Sequence, residues 1–531
     1  SLAEITLSGG GMTNDIVSLL QHAPLNLFQN LDLSQDQFDA DVRFETALAF
    51  PLKKGLKLTD IDYMGTARLS DLSLRVAPQI SQVRSEKIDL KFANEGCSAI
   101  GVFLLDNIPL YMNGKMEFAE RTTALDFSFD LNEALLASLN ISLPNGIVEG
   151  SAPAVLRFPS DQSASRRFVV DSDLLGVNLN MSQLNWQKSK QSALPFQLRG
   201  EIQQSGKLDI QSVSLNGQGL LLDARPNRDG SGMFAGLAFE RFRLDDMIDV
   251  SGEISEEKGL LITGGQLDAR PFLQGERTPN RTAQAGLPAK IQLDRIRLGK
   301  KITLTDFRGD LVLGRALSGP FSAKLSRSSV VQGRFFEKNG RTGVEATSAQ
   351  GGPTLVALGA TKEATGGDFA LRLTPSRTPR VLDGYVKLTN VKVQQAPVLA
   401  EILNAISIVG LIELLSGPGL PLNEIEGTFR LNGDELILKN GTAFGPSLGV
   451  SLDGYFNTKT EIMDLQGVLS PIYAFNAIGS LLTKKGEGLL GFNFTLKGKA
   501  GRAKLVVNPL SIFTPAMFRN IFRRPAPKYS D

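Results

Sequence analysis

The chain has 531 residues, with an apolar fraction of 42% and a charged fraction of 21%. This length exceeds one ordinary hydrophobic core, so it predicts several domains or one elongated architecture. A formal charge of +2 gives no electrostatic basis for a nucleic-acid partner, and the single cysteine, Cys97, excludes an intramolecular disulfide. The single histidine, His22, has no second histidine or cysteine nearby, which excludes most zinc, haem and Cys–His chemistry.

Most of the chain is predicted to be β-strand, because glycine, Asn, Asp, Ser and Pro cluster between short runs of alternating apolar residues. One pattern recurs, in which a polar pair separates two alternating apolar segments. Since alternate side chains share a face of a strand, the extra residue predicts a bulge, and repeated bulges predict a curved sheet. Chance recurrence in a leucine-rich sequence is the alternative. The copies lie at 56–63, 67–74, 237–244, 291–298 and 386–393.

No charge block or low-complexity tract gives a clean domain boundary. We therefore predict a β-groove segment over 1–190, a second segment over 191–380 that continues the same sheet, and a C-terminal region over 381–531. The predicted fold is mainly β, a long, twisted, open groove of repeated antiparallel strands with a few short amphipathic helices near its C-terminal end.

The most apolar helical pattern of the chain covers 397–415 and starts at a proline, which suits the first turn of a helix. Its length falls just short of the roughly 20 apolar residues that a membrane span needs, and it carries two glutamates. We therefore predict that it lies on or against another surface. The residues predicted to face the groove or a membrane are Leu399, Ile402, Leu403, Ile406 and Val409.

Two further amphipathic helices are predicted, over 471–482 and 515–522. The first places Ile472, Phe475 and Ile478 on one side. The second combines Phe518, Ile521 and Phe522 with Arg519 and Arg523. Apolar residues bordered by arginines suit an interfacial helix on an anionic membrane. They equally suit a helix that packs on the end of a sheet, with arginines near its C-terminus.

No motif for catalysis or for a cofactor is present. The sequence contains no glycine-rich nucleotide-binding pattern after a strand and no phosphate-binding loop, and nothing singles out a pair of carboxylates. We therefore expect a protein that is not an enzyme and holds no cofactor.

The last third of the chain resembles the AsmA-like C-terminal region, and is most similar to the large YhdP-type members of that family. The resemblance is carried by "GYVKLTNV", by "APVLAEILNAISIVGLIELLSGPGLPLNEIEGTFRLNGDELILKNGTAFGPSLGVSLDGYFN" and by the closing "VVNPLSIFTPAMFRNIF". Looser counterparts lie upstream, in "DSDLLGVNLNMSQLNWQKS" over 171–189, which contains the family's Trp-x-Lys, and in "ITGGQLDARPFL". The family's N-terminal membrane anchor and further β repeats are missing from this sequence.

The resemblance implies an apolar β-groove in the periplasm of a Gram-negative cell, anchored to the inner membrane in the full-length protein. It implies phospholipids as ligands, the inner or outer membrane surface as a partner, and other envelope proteins as further candidate partners. We expect a lipid-transfer segment. The alternative hypotheses are an assembly factor for outer-membrane proteins that acts by edge-strand pairing, and a hydrolase of envelope polymers.

Overall fold

The computed structural model describes most of the chain. The described residues are 2–12, 38–57, 60–74, 83–105, 107–120, 122–138, 147–158, 166–181, 184, 186–203, 208–228, 234–255, 257–274, 286–406, 408–471, 490–500, 502–513, 524–525 and 527. They are mainly β and belong to two compact units, Ser1–Asp245 (unit 1) and Asp246–Asp531 (unit 2). The boundaries predicted after residues 190 and 380 fall inside these units.

Unit 1 is an open antiparallel sheet. Strands β1 to β8 each pair with the next strand, β9 pairs with β12, and β12 to β15 continue the order. The first part of β8 also pairs with β10, which pairs with β11. The strands are β1 Leu2–Met12, β2 Phe38–Pro51, β3 Asp62–Leu74, β4 Val83–Ala93, β5 Gly96–Leu105, β6 Ile108–Glu117, β7 Thr122–Asn132, β8 Val148–Phe158, β9 Arg166–Ser172, β10 Val177–Met181, β11 Trp186–Lys188, β12 Phe196–Ile202, β13 Leu208–Gly217, β14 Leu220–Arg228 and β15 Phe234–Leu244. Helix α1, Glu133–Ser138, follows β7.

The strands of unit 2 also form an open sheet, in which β17 and β18 are parallel and the other pairs are antiparallel. Strand β22 pairs with β24, and the short β23 pairs with β25. The strands are β16 Ile248–Ser255, β17 Gly259–Asp268, β18 Leu287–Arg297, β19 Thr303–Leu313, β20 Leu317–Ser326, β21 Ser329–Lys338, β22 Arg341–Ser348, β23 Glu363–Thr365, β24 Asp368–Pro375, β25 Val381–Gln394, β26 Leu420–Asn432, β27 Glu435–Phe444, β28 Leu448–Asn457, β29 Ile462–Pro471, β30 Phe492–Lys499 and β31 Lys504–Asn508. The helices are α2 Arg270–Gln274, α3 Gly351–Ala357, α4 Pro397–Ala405, α5 Val409–Ser416 and a 3₁₀ helix, Pro509–Phe513.

The single helix predicted over 397–415 is wrong, because α4 ends at Ala405 and α5 begins at Val409. The break has a geometric reason. In one straight helix, Ile402 and Leu411 are nine residues apart and would point to opposite sides, since each residue turns the helix by about 100°. With the break, both residues lie in the same hydrophobic core.

The predicted bulges are confirmed at two copies of the recurring pattern. In β3 the register with β2 shifts at Asp71, and in β15 the register with β14 shifts at Glu240. The copy over 291–298 pairs without a shift in register, and most of the copy over 56–63 precedes β3.

Three Asp or Asn residues that follow Ser or Thr have left-handed backbone conformations. They are Asp71 (φ 54°), Asp306 (φ 49°) and Asn390 (φ 55°). Asp and Asn tolerate positive φ better than other residues with a side chain, because their short polar groups bond to the local backbone. A Ser/Thr–Asp/Asn pair thus precedes or forms the bend at these three positions.

Asn390→Val should lower the stability of unit 2 by about 1–2 kcal/mol, because a β-branched side chain is strained at positive φ. Asn390→Gly should leave stability nearly unchanged, since glycine adopts this conformation without strain. The measurement is the midpoint of urea unfolding followed by circular dichroism. Equal midpoints for the two variants would contradict the assigned backbone conformation.

Phenylalanine rings cover glycines on neighbouring strands. In each case the two residues are direct partners in the register, and a Cβ on the glycine would clash with the ring. Such aromatic cover compensates for the missing glycine side chain and allows close contact between ring and backbone. The pairs are Gly9–Phe44, Gly65–Phe92, Gly200–Phe168, Gly333–Phe321, Gly343–Phe336, Gly384–Phe429 and Gly467–Phe494.

Gly384→Ala should lower the thermal midpoint of unfolding, at a cost of about 1–3 kcal/mol, because the new methyl group overlaps the Phe429 ring. Adding Phe429→Leu should recover part of the loss. Gly114→Ala is the matched control, since a Cβ there meets its nearest neighbours at ordinary contact distance. A loss at Gly114 as large as the loss at Gly384 would show that the glycine backbone, and not the ring, decides the effect.

Candidate functional site

One face of the unit 2 sheet carries an unbroken row of apolar residues, one from each strand of the main pairing order. We call it the inner face of unit 2. The row follows the hydrogen-bonding direction and contains glycine, alanine, aliphatic residues and phenylalanine. Its members are Gly252, Ile262, Ile291, Gly309, Phe321, Gly333, Ala346, Leu371, Val386, Gly427, Gly441, Leu452, Gly467, Phe494 and Val507.

Unit 1 has an equivalent inner face. Its row crosses the thirteen strands of the main sheet without a charged or hydrogen-bonding side chain. Phe127 lies near its middle and contacts Phe103 and Phe158 at ring-centroid distances of 5.7 and 6.2 Å. The row contains Gly11, Val42, Leu69, Ile88, Gly101, Met112, Phe127, Leu156, Val170, Leu198, Val213, Ala224 and Phe239.

The outer face of each sheet is polar, as alternation along a strand requires. In unit 2, Arg334 and Arg372 flank Glu345 from the two neighbouring strands, at N–O distances of 2.6 and 3.3 Å. The hydrogen bond from Arg334, with the charge of Arg372, holds the pKa of the Glu345 carboxyl below its usual value. In unit 1, the Asp89 carboxylate pairs with Lys87 of its own strand, β4, and with Arg68 of β3, at 2.7 and 2.9 Å. Charge therefore stays off the inner faces.

The inner face of unit 2 is concave over its C-terminal strands. Helix α4 follows β25 and also contacts β31, six strand positions away. Six flat strand spacings would cover about 29 Å, whereas nine helical residues are only about 13 Å long. The sheet must therefore curve around α4 with its apolar side inwards. This part of unit 2 is a groove.

Helices cover the inner face at one end of the strands. Leu403 and Leu415 are almost fully buried against Leu388, Leu420 and Leu469 in one hydrophobic cluster. Towards the middle of the strands the apolar side chains keep partial exposure, as Leu371 and Val386 do. In unit 1, Leu135 of α1 lies in a similar cluster, while Met112 and Phe127 remain half-buried.

The structure separates the five residues predicted to face a groove or membrane. Ile402 and Leu403 are buried in protein, and Leu399 and Ile406 pack at the edge of the same cluster. Val409 begins α5 and is 62% exposed. Four of the five side chains therefore point towards the inner face of the groove, and Val409 points to solvent.

The other predicted contact residues lie outside the described residues. These are Ile472, Phe475, Ile478, Phe518, Arg519, Ile521, Phe522 and Arg523, with the helices predicted over 471–482 and 515–522. His22 also lies outside them. The neighbouring Arg524 is described, and its guanidinium bonds both carboxylate oxygens of Asp464 on β29, at 2.9 and 2.6 Å.

The Trp-x-Lys motif has a structural role. Lys188 is 1% exposed, and its ammonium donates hydrogen bonds to the carbonyl oxygens of Leu174, Val177 and Ser189 at 2.7, 2.8 and 3.1 Å. Burial lowers the pKa of Lys188, an effect that the nearby Asp173 opposes. The Trp186 indole donates to a backbone carbonyl, that of Gln218. Both side chains join β11 to neighbouring segments, and their polar groups bond to backbone carbonyl oxygens within the protein.

The described part of the sheets carries surface concavities. One, of about 550 Å³, lies on the outer face of unit 1 and contains Asp171. That carboxylate is already bound by Arg157 and Gln197, at 2.7 and 2.8 Å. Across the described ranges, no group of three His, Cys, Asp or Glu side chains could hold a metal ion. None of the helices that the structure describes is long and apolar enough to cross a membrane.

These features define an open β-sheet protein whose distinctive surface is a continuous apolar face. No protein family, no curated protein and no solved structure matches the chain.

Leu403→Ala should lower the thermal midpoint of unit 2, at a cost of about 2–5 kcal/mol, because the side chain is fully buried. Val409→Ala should change it by less than about 0.5 kcal/mol, since this residue is largely exposed. Differential scanning calorimetry of the two variants measures the difference. Equal losses would show that α5 is packed differently from the arrangement described.

Proposed function

We propose that this chain is a lipid-binding and lipid-transfer segment, whose inner faces hold phospholipid acyl chains. The observation that carries the proposal is the apolar row of each unit, which passes through every strand of its main sheet and in which most residues keep partial exposure. An extended, partly exposed apolar surface of this kind is unusual for a soluble protein and marks a binding surface. A bound acyl chain would supply the missing cover.

The energetics suit a hydrocarbon ligand. Each methylene removed from water contributes about 0.8 kcal/mol, so a long acyl chain gains enough to remain bound without any polar contact. The apolar row continues from strand to strand with similar chemistry, so no single position along it is strongly preferred. An acyl chain can therefore move along the groove in small steps. The head group would stay at the polar strand ends and select weakly.

The sequence resemblance supports the same proposal. The C-terminal region resembles the AsmA-like family, which is linked to phospholipid movement between the inner and outer membranes. We accordingly propose a periplasmic location, and an inner-membrane anchor in the full-length protein. The proposed partners are phospholipids, the surfaces of the two membranes and other envelope proteins. Neither an enzymatic activity nor a cofactor belongs to the proposal.

A second candidate function is an assembly factor for outer-membrane proteins, and one observation favours it. Strand β1 is eleven residues long and mostly exposed, and among the described strands it pairs with β2 alone. Its second edge offers unpaired backbone groups to another strand. This function would use the edge of the sheet and leave the inner face empty.

Met112→Asp should reduce the amount of fluorescent phospholipid that the protein extracts from phosphatidylcholine vesicles, because the charge enters the inner face of unit 1. Tyr111→Asp is the matched control. Tyr111 is the adjacent residue, lies on the outer face and is 56% exposed. We expect at least a several-fold loss of bound lipid for the first variant and no loss for the second.

Circular dichroism and thermal melting of both variants control for folding. A wild-type protein that extracts no lipid would overturn the proposed function. If such a protein also crosslinks through β1 to an unfolded outer-membrane protein, the assembly-factor function would replace it. Equal extraction by the two variants would show that lipid binds elsewhere than on this inner face.

A further inference from the structure

Two loops that are distant along the sheet of unit 2 contact each other. Residues 299–302 belong to the loop that joins β18 to β19, and residues 458–461 form the loop that joins β28 to β29. The Lys301 ammonium lies 3.2 Å from a carboxylate oxygen of Glu461. The Lys300 ammonium donates a hydrogen bond to the carbonyl oxygen of Lys459 at 3.1 Å.

The register places these loops at opposite ends of the strands. Successive antiparallel pairs from β18 to β29 put loop 299–302 at the end where β25 finishes and α4 begins. The same pairing puts loop 458–461 at the end where β25 starts. We call the two edges formed by the strand ends the rims of the groove. In a flat sheet the two loops would lie on opposite rims and could not touch.

Twist of the sheet brings the rims together. Eight pairings separate β19 from β28. At about 20–25° for each pairing, the strand direction turns through roughly 160–200°. The sheet is also concave on its apolar side over β25 to β31. The Lys301–Glu461 contact therefore joins the two rims of the groove.

The two sides of this contact differ in rigidity. The Asn457 side chain accepts hydrogen bonds from the backbone N–H groups of Lys459 and Thr460, at 3.1 and 2.8 Å. Glu461 itself has φ 61°, an uncommon conformation for this residue. Its backbone N–H donates to the carbonyl oxygen of Asn457, and its carbonyl oxygen accepts from the N–H of Ala500. Lys301, in contrast, is 79% exposed. The backbone that carries Glu461 is thus held by hydrogen bonds, while the lysine side chain that faces it is largely exposed.

We propose that this junction is an ionic latch across the opening of the unit 2 groove, and that an acyl-chain ligand enters or leaves the groove laterally at this point when the latch opens. The proposal rests on the proposed lipid-binding function. An exposed ion pair contributes little to stability and is weakened by salt. Those are the properties that a contact needs in order to open often without unfolding the sheet.

The contact is tested first without any lipid. A carbodiimide reagent couples an amine to a carboxylate only where the two groups meet. We expect an isopeptide bond between the Lys301 and Glu461 side chains of the wild-type protein, identified by mass spectrometry of a tryptic digest. The yield of this crosslink should fall at high salt. Absence of this link, with other lysine–carboxylate pairs coupled in the same sample, would overturn the latch.

Charge reversal tests the function of the latch. Lys301→Glu and Glu461→Lys each replace attraction by repulsion, and the double variant restores an ion pair in the opposite sense. Each single variant should take up fluorescent phospholipid from phosphatidylcholine vesicles about two- to fivefold faster, with the amount bound at equilibrium unchanged. The double variant should return to the wild-type rate.

Lys324→Glu is the matched control, because it breaks a similar exposed pair, Lys324–Asp306, within the sheet. Its uptake rate should equal that of the wild type. Single variants that match this control, or a double variant that stays fast, would overturn the entry role. A wild type that takes up no lipid would overturn the proposed function and this role with it, while a positive crosslink would still establish the rim contact.

Discussion

Strand register is the constraint on which both units depend. Side chains alternate between the two faces, so a slip of one residue in any strand would turn the outer side chains of that strand to the inner face. Outer-face pairs such as Lys387–Glu424, at 2.8 Å, and Arg430–Asp383, at 2.8 Å, bind neighbouring strands and favour the correct alignment. These pairs are only partly exposed. They favour the observed register because a one-residue slip of their strands would turn their charges towards the inner face.

Curvature is the second constraint, and it explains the pairing of small with large residues. The concave side of a curved sheet has less room than the convex side, so a large side chain on every strand of the inner row would overfill it. Gly467 beside Phe494, and Gly333 beside Phe321, share the space of one ring between two strands. Bulges such as the one at Asp71 add local twist. The glycine content of the sequence therefore serves the strands as well as the turns.

The sequence predicts the strand content well, because alternation is a local property that needs only one face to be buried. It also predicts the apolar helical segment after β25, since its composition is extreme. It does not predict the break between Ala405 and Val409. That break depends on where Leu411 must go in the folded core, which is a tertiary effect. Register is likewise invisible in a single sequence, so the continuous row through Leu371 and Val386 emerges only when the strands are aligned.

The sequence predicts contact residues on the apolar helices, whereas the candidate surface in the structure lies on the strands. The apolar helices are the most hydrophobic segments of the sequence, yet Ile402 and Leu403 are buried in the protein's own core. The surface that remains uncovered is built from single residues of many strands, each unremarkable in its own segment. The contact of Lys301 with Glu461 is hidden for the same reason, since 160 positions separate the two residues in the sequence.

The distribution of charge and apolar surface would determine how a ligand is selected. The inner rows offer no hydrogen-bonding side chain, so they cannot distinguish one acyl-chain ligand from another except by its length and shape. Under the proposed function, head groups would meet protein charge at the rims and strand ends, where Lys300 and Lys301 are located. If phospholipid occupies the groove, affinity comes from the tail and is nearly uniform along the sheet, whereas any discrimination between lipids takes place at entry. A junction between the rims is then the position at which a small change in charge has the greatest influence on which ligands pass.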